Sequence, residues 1–481
     1  MEEGGCMGAA GHKNKWAILI TVLVMTFMST LDSSIVNVAL PVMQKELGVG
    51  LDAIQWVASV YLIAICAVLL VFGRLGDLFG KVHLFQMGVA VFGVGSLLCG
   101  LASSFEMLLV ARALQGIGAA ATMANNMGII TETFPARELG RALGLLASFV
   151  ALGMMCGPVL GGAIVSVLPW EFIFWVNVPV AAIALIAGFK TLPFGRPERD
   201  GARFDTLGAV LLVPGMALAL CSVTLIERGF TPLLGAVLFA GALLLVGFVL
   251  HERRCAQPLA QLSIFRGRVF DISVVACLIS FVAIGSTEIV LPFYFQDAHG
   301  FSPEVAGLLF AVIPLVNAFV GPMSGSLSDR IGCHAPTVVG LGVYALGIFA
   351  VGSLSQDSPV VQIVAFVALM SLGTSMFQSP NNALVMSAAP EDALGFVGSV
   401  QSLAQNMGMA LGISGGMAVL YGQMSAQAGY RVTGYVAGAP EIFFYGYRWA
   451  YWLTAALVVV GFVLAVVRWR MARRERAARR V

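Results

Sequence analysis

Charge is what this chain has least of. Asp, Glu, Lys and Arg together make up 11% of 481 residues, against about a quarter in a soluble domain. Cysteine is sparse too: the eight cysteines stand mostly alone in apolar runs, and none forms a CxxC pair. They read as small buried hydrophobes rather than a disulfide framework or a metal site. Five dispersed histidines make no metal constellation. Low-complexity tracts, coiled-coil heptads and nucleic-acid-binding modules are missing. Together these absences point away from an enzyme, a cofactor, a metal or a nucleic-acid partner. The longest polar segments, 194–204 and 252–268, are too short to fold as a soluble output domain, which disfavours a membrane sensor.

What the chain has instead is apolar length: 59% of its residues are hydrophobic and the mean hydropathy is +0.92. A bilayer crossing takes roughly 20 apolar residues as a helix. Runs bounded by charge or by Gly/Pro clusters lie near 16–40, 53–73, 83–103, 106–130, 139–167, 171–193, 206–226, 231–251, 269–295, 304–327, 335–355, 360–388, 393–421 and 447–469. Fourteen spanning helices follow, because in lipid a helix satisfies its own backbone groups and a lone strand does not. The first run is too long for a cleaved signal peptide and carries Asp32. The expected class is an all-α integral protein of the cell membrane.

Positive charge sets the orientation. With the N-terminus inside, 22 of the 27 Lys and Arg fall on inside segments, among them Lys13, Lys81, Arg137, Arg203, Arg253, Arg330 and the tail from Arg468 to Arg480. Outside lie Lys45, Arg228, Arg431 and Arg448. Both termini are therefore expected in the cytoplasm, and the basic tail reads as an anchor to anionic lipid.

The segment Gly73-Arg74-Leu75-Gly76-Asp77-Leu78-Phe79-Gly80-Lys81 follows the second span, and a weaker copy, Gly325-Ser326-Leu327-Ser328-Asp329-Arg330-Ile331-Gly332, follows the tenth. Copies on one side of the membrane imply repeats related by an axis along its normal. Spans 1–6 and 9–14 then form two bundles, with spans 7 and 8 inserted. The domains are 1–193, 194–268 and 269–481.

With these residues in view, nearly the whole chain resembles the major facilitator superfamily, in particular its fourteen-helix drug:proton antiporter branch. The 73–81 segment is similar to the family's loop between helices 2 and 3, which implies a conformational latch formed by Gly73, Asp77, Gly80 and Lys81. The second copy has Cys333 where the first has Lys81. Arg112-Ala113-Leu114-Gln115-Gly116-Ile117-Gly118 resembles the RxxQGxG motif of helix 4. Gly153, Gly157, Pro158, Gly161 and Gly162 match the GxxxGPxxGG antiporter motif of helix 5, where small residues give a flat packing face and Pro158 permits bending. Leu31-Asp32-Ser33-Ser34-Ile35-Val36-Asn37-Val38-Ala39-Leu40-Pro41 is similar to the family's LDxTxVNVALP stretch, with Ser34 in place of Thr.

Charged residues within spans are functional candidates by default. Asp32, Glu288 and Arg112 are expected at comparable depth in the outer half, about 24 Å and 28 Å from the inner end and about 9 Å from the outer end respectively. Asp32 and Glu288 lie on equivalent helices at offsets from their loop glycines that differ by four residues, one turn. That spacing predicts a pseudo-symmetric acidic pair facing one cavity. An antiporter needs an acid that trades its proton for cargo. Asp32 is expected to carry the proton, Arg112 to modulate it, and Glu288 to hold a cation or second proton. Asn37 and Gln115 are expected to line the substrate site.

The expected activity is alternating-access export of hydrophobic, cationic drugs or toxic compounds, driven by protons. A dedicated exporter of one metabolite stays open beside it, with a passive pore less favoured. The expected partners are a small lipophilic substrate, protons and the lipid bilayer, on a monomer; a periplasmic adaptor is left undecided.

Overall fold

The computed structural model describes residues 15–193, 204–225, 231–255, 257–259, 268–387, 394–432, 434–436 and 438–478. Among them run fourteen long helices: α1 (Lys15–Leu47), α2 (Trp56–Phe79), α3 (Lys81–Gly100), α4 (Phe105–Thr133), α5 (Ala136–Val167), α6 (Phe172–Thr191), α7 (Thr206–Leu225), α8 (Pro232–Glu252), α9 (Arg268–Ala298), α10 (Pro303–Ser328), α11 (His334–Gly352), α12 (Val360–Ser387), α13 (Leu394–Ala428) and α14 (Pro440–Ala478). Thirteen are long and apolar enough to cross a membrane, and the fifth contributes the shorter apolar stretch Leu152–Val167. Several helices outrun their apolar windows: α1 continues past Pro41 to Leu47, and α14 begins at Pro440. Backbone hydrogen bonding needs no apolar side chain, so a helix extends until a cap or breaker ends it.

Those stops are readable. Ser104 accepts the Met107 amide at 3.2 Å to start α4. Thr231 accepts that of Leu234 at 3.1 Å, with Pro232 in the first turn of α8. Gly80 and Gly332, equivalent in the two loop copies, take φ of 102° and 87°. Only glycine adopts this conformation without strain.

The packing reproduces the repeat. Helices α1 and α5, α2 and α4, α3 and α4, α3 and α6, and α1 and α6 pack together in the first bundle. Their counterparts α9–α13, α10–α12, α11–α12, α11–α14 and α9–α14 pack in the second. Between bundles, α5 lies against α10, and α13 against α2. The inserted α7 covers the seam between α2 and α13: Leu212, Met216 and Leu220 pack with Ile63, Cys66, Ala67 and Leu70, and with Leu403, Met407 and Leu411 behind them. The Thr224 and Ser414 hydroxyls bond at 2.7 Å. α8 packs on α7 and is otherwise exposed.

Close helix approach is set by glycine on both repeats. A Cβ on Gly157 would lie 2.9 Å from the Ile35 amide nitrogen of α1, and one on Gly412 would lie 2.9 Å from that of Ser286 on α9. Gly408-x3-Gly412-x2-Gly415-Gly416 on α13 is thus a second version of the α5 motif. Replacing Gly412 by Val places its Cβ 2.1 Å from the Val282 carbonyl oxygen. Overpacking of this kind costs about 1–3 kcal/mol or more. Gly412→Val should therefore lower the thermal midpoint of the purified protein. Gly415→Ala, with nothing within 4 Å of the added carbon, should leave it unchanged.

Candidate functional site

The first bundle encloses a fully buried ion pair. Asp32, near the middle of α1, and Arg112, in the second turn of α4, are 0% and 1% exposed. Arg112 Nη1 donates to Asp32 Oδ2 at 2.6 Å and to Gln115 Oε1 at 2.5 Å. Gln115 lies one turn further along α4, so the same face of that helix supplies both groups. Gln115 Nε2 donates to Asp32 Oδ1 and to the Ser96 hydroxyl of α3, each at 2.8 Å. Asn177 Nδ2 donates to Asp32 Oδ1 at 2.6 Å.

Arg112 is held from its other sides as well. Its Nε donates to the Val57 carbonyl at 2.9 Å. Its guanidinium carbon lies 4.3 Å from the ring centre of Tyr61 and 5.5 Å from that of Phe174. Such stacking favours a cation removed from water. One carboxylate thereby joins α1, α3, α4 and α6 in a single network.

Asn177, Ser96 and Tyr61 are absent from the sequence expectations. A lone Asn in an apolar run was the available signal for Asn177, and it sits at the first residue of the second segment of α6, where the helix is interrupted. Gln115 is corrected in role. Expected to line a substrate site, it is 0% exposed and both ends of its amide are bonded inside this network.

Glu288 sits differently. It is partly accessible, and no hydrogen bond or ion pair is found for it among the described residues. Its carboxylate acts electrostatically on Tyr344 of α11 and Tyr451 of α14. Tyr451 donates its hydroxyl to the Thr287 carbonyl at 3.1 Å, and the buried Tyr344 hydroxyl oxygen has no partner among the described residues.

Glycine packing also corrects the expected acidic pair. Gly153 faces the Phe27 carbonyl and Gly408 that of Leu278, while Gly157 and Gly412 face Ile35 and Ser286. Both matches share one offset, and that offset places Glu288 opposite Asn37; Asp32 falls opposite the buried Ala283. The loop glycines Gly73 and Gly325 imply nearly the same register; the pair fails because Asn37, the counterpart of Glu288, stands five residues from Asp32 and so on a different face of the helix. Asn37 is 7% exposed and its Oδ1 has no hydrogen-bond partner among the described residues. The two unsatisfied polar groups at equivalent places are therefore Asn37 and Glu288, while Asp32 turns into its own bundle.

Of the residues expected in the latch, Asp77 and Lys81 come together. Lys81 forms an ion pair with Asp77 at 3.3 Å and a short one with Glu132 of α4. Its alkyl chain crosses Gly128, where a Cβ would meet the Lys81 Cδ at 2.3 Å. Gly73 faces Ser399 of α13, its virtual Cβ 3.3 Å from the hydroxyl oxygen. The antiporter-motif helix has two working faces. Gly153, Gly157 and Gly161 meet α1, whereas Gly162 and the Pro158 carbonyl meet Pro303 and Gly307 of α10 in the other bundle. At that same end Lys45 lies 3.8 Å from Asp297, and Gln296 donates to the Val38 carbonyl at 3.4 Å.

Removing one partner of a buried ion pair strands the other charge, at about 3–5 kcal/mol. Arg112→Gln should therefore cut the yield of folded protein, and Asp32→Asn combined with Arg112→Gln should recover part of it. A double-mutant cycle on thermal midpoints reads this directly, and additive losses would contradict the pairing.

The chain matches the Major Facilitator Superfamily over residues 22–413. It is 30% identical over 459 residues to the riboflavin transporter RibZ of Clostridioides difficile, covering 94% of this chain and 97% of that one. It is 34% identical over 411 residues to the tetracenomycin C resistance and export protein of Streptomyces glaucescens, covering 84% and 76%. It is 31% identical over 403 residues to the multidrug resistance protein Stp of Mycobacterium tuberculosis, covering 83% and 75%. A solved bacterial homologue of the human lysosomal transporter Spinster, inward-facing and unoccupied, shares the fold with a TM-score of 0.67 at 17% identity over 96% and 98% of the chains. A helical membrane protein with two matching bundles, a buried charge pair in the first and glycine faces between helices, this chain belongs to the Major Facilitator Superfamily and is a membrane transporter of small molecules.

Proposed function

We propose that this transporter is a proton-coupled exporter of hydrophobic, cationic compounds, with both termini in the cytoplasm. The observation that carries the reading is the buried Asp32–Arg112 pair. An ion pair enclosed in apolar surroundings is expensive to maintain and serves best as a switch.

In the described conformation Asp32 accepts from Arg112, Gln115 and Asn177. A proton reaches the carboxylate only once Arg112 or one of the two amides lets go. Proton uptake is thereby tied to a shift of α1 against α4 and α6. Because α1 also packs on α5, and α5 touches α10 across the bundle interface, that shift reaches the contacts that must part for alternating access. Each charge moved down 100 mV supplies about 2.3 kcal/mol, enough to concentrate a substrate tens-fold.

Glu288 supplies attraction for a positive group, with Asn37 opposite as a polar anchor. The 73–81 loop acts as the latch at the basic end, through Asp77 and Lys81. The antiport-type motif of α5 and the similarity to named export and resistance proteins support the direction of transport.

A second reading has its own support. Similarity to RibZ extends over nearly both whole chains, so a transporter dedicated to one metabolite on the same fold stands beside the multidrug reading. A substrate panel in an efflux-deficient host, with riboflavin included, separates the two: transport of many unrelated lipophilic cations favours the first, and of one compound the second.

The deciding experiment is substrate-induced proton release from purified protein. Wild type should release protons on adding a lipophilic cation, and Asp32→Asn should not, while still residing in the membrane. Normal efflux from that variant would remove Asp32 from the mechanism. Glu288→Gln should impair cationic substrates at least about ten-fold more than neutral ones, in line with the loss of a charge-assisted contact; equal losses would contradict charge recognition.

A further inference from the structure

The inserted helices have an occupation beyond covering a seam. Asp205 lies immediately before α7, His251 in the last turn of α8, and Cys255 just beyond it. Distant in sequence, they bring a carboxylate oxygen, an imidazole nitrogen and a thiol sulfur within 4.8 Å of one another. His251 Nε2 is 2.9 Å from both oxygens of Asp205. Asp205 is oriented by the Gly208 amide, which donates to its Oδ1 at 2.9 Å.

We propose that Asp205, His251 and Cys255 form a binding site for a transition-metal ion of the zinc class. A thiolate, an imidazole and a carboxylate are the donor set that Zn2+ takes, and the sulfur and nitrogen disfavour Mg2+ and Ca2+. The side chains of Asp205 and His251 are 6% and 26% exposed, sheltered yet reachable by an ion.

A second carboxylate stands beside them. A Cβ on Gly208 would lie 2.4 Å from Asp205 Oδ2 and 3.0 Å from Glu252 Oε1. Glu252 is 4% exposed, and its Oε1 accepts the Leu259 amide at 3.2 Å. Two sheltered carboxylates crowding one glycine repel each other, and a divalent cation beside them offsets that repulsion. Water completes a four-coordinate shell. The Cys255 thiol loses its proton to solvent as the Cys255 sulfur binds metal. The ion ties the start of α7 to the end of α8 and to the beginning of the segment leading to α9.

The test uses the full-length protein in nanodiscs, purified on a tag without histidine, stripped with a chelator and titrated with Co2+. Wild type should bind one equivalent, show a thiolate-to-cobalt charge-transfer absorption, and lose it when Zn2+ is added. Cys255→Ser should abolish that absorption. His251→Gln, which keeps a polar group toward Asp205, should weaken cobalt binding at least about ten-fold. Zn2+ should raise the thermal midpoint of wild type and not that of His251→Gln. Metal-free variants that melt like metal-free wild type show the losses to be local. A folded wild type without the charge-transfer band, or a band that persists in Cys255→Ser, overturns the assignment.

Discussion

A guanidinium and a carboxylate enclosed together away from water constrain everything around them. Each charge alone is prohibitive to bury, so Asp32 requires Arg112, and the pair requires enough neutral donors and acceptors to occupy what remains. The bundle meets that demand from four helices: Gln115 beside Arg112, Ser96 behind Gln115, Asn177 at the break in α6, and the Val57 carbonyl of α2's first turn with the Tyr61 ring above it. Under the proposed function, the cost of disturbing this network would favour two discrete arrangements over a continuum between them.

The two repeats divide the labour unequally on a shared frame. Glycine faces on α5 and α13 seat α1 and α9 at the same distance, so the backbones are near copies. The side chains diverge. Where the first bundle has Asp32 in a bonded network, the second has Ala283; where the first has neutral Asn37, the second has the carboxylate of Glu288. The frame is conserved by close packing, which tolerates no added carbon. Polar side chains sit in the gaps and differ freely. Across the interface Gly162 and Gly307 pack against the backbone of the opposite bundle, a smooth contact beside the Lys45–Asp297 and Gln296–Val38 contacts that close the same end.

Much of this was legible from the chain alone where the physics is local. Apolar runs of bilayer length forecast the fourteen helices, because lipid leaves the backbone no alternative. The paired loop segments led to the expectation of two equivalent bundles and an insertion. Intramembrane charge marked Asp32, Arg112 and Glu288. The ends of α1 and α14 were misjudged because hydropathy falls before the hydrogen-bond ladder does. The proposed pairing of Asp32 with Glu288 was misjudged because their register differs by about a turn and a half, which turns the two side chains to different faces.

Sequence by itself determined the class and singled out Asp32 and Arg112 within their spans, since each depends on composition along one segment; it read Arg468 as part of a lipid-anchoring tail, whereas Arg468 is buried against Ser273 and Asn381. Only the tertiary structure decided which atoms those charges meet: that Asp32 is closed in by Arg112, Gln115 and Asn177, that Glu288 is left open opposite Asn37, and that Asp205, His251 and Cys255 converge across two inserted helices. The reason is geometric. These contacts join residues scores of positions apart, and a helix's direction in space, which fixes them, is set by its neighbours rather than by its own residues.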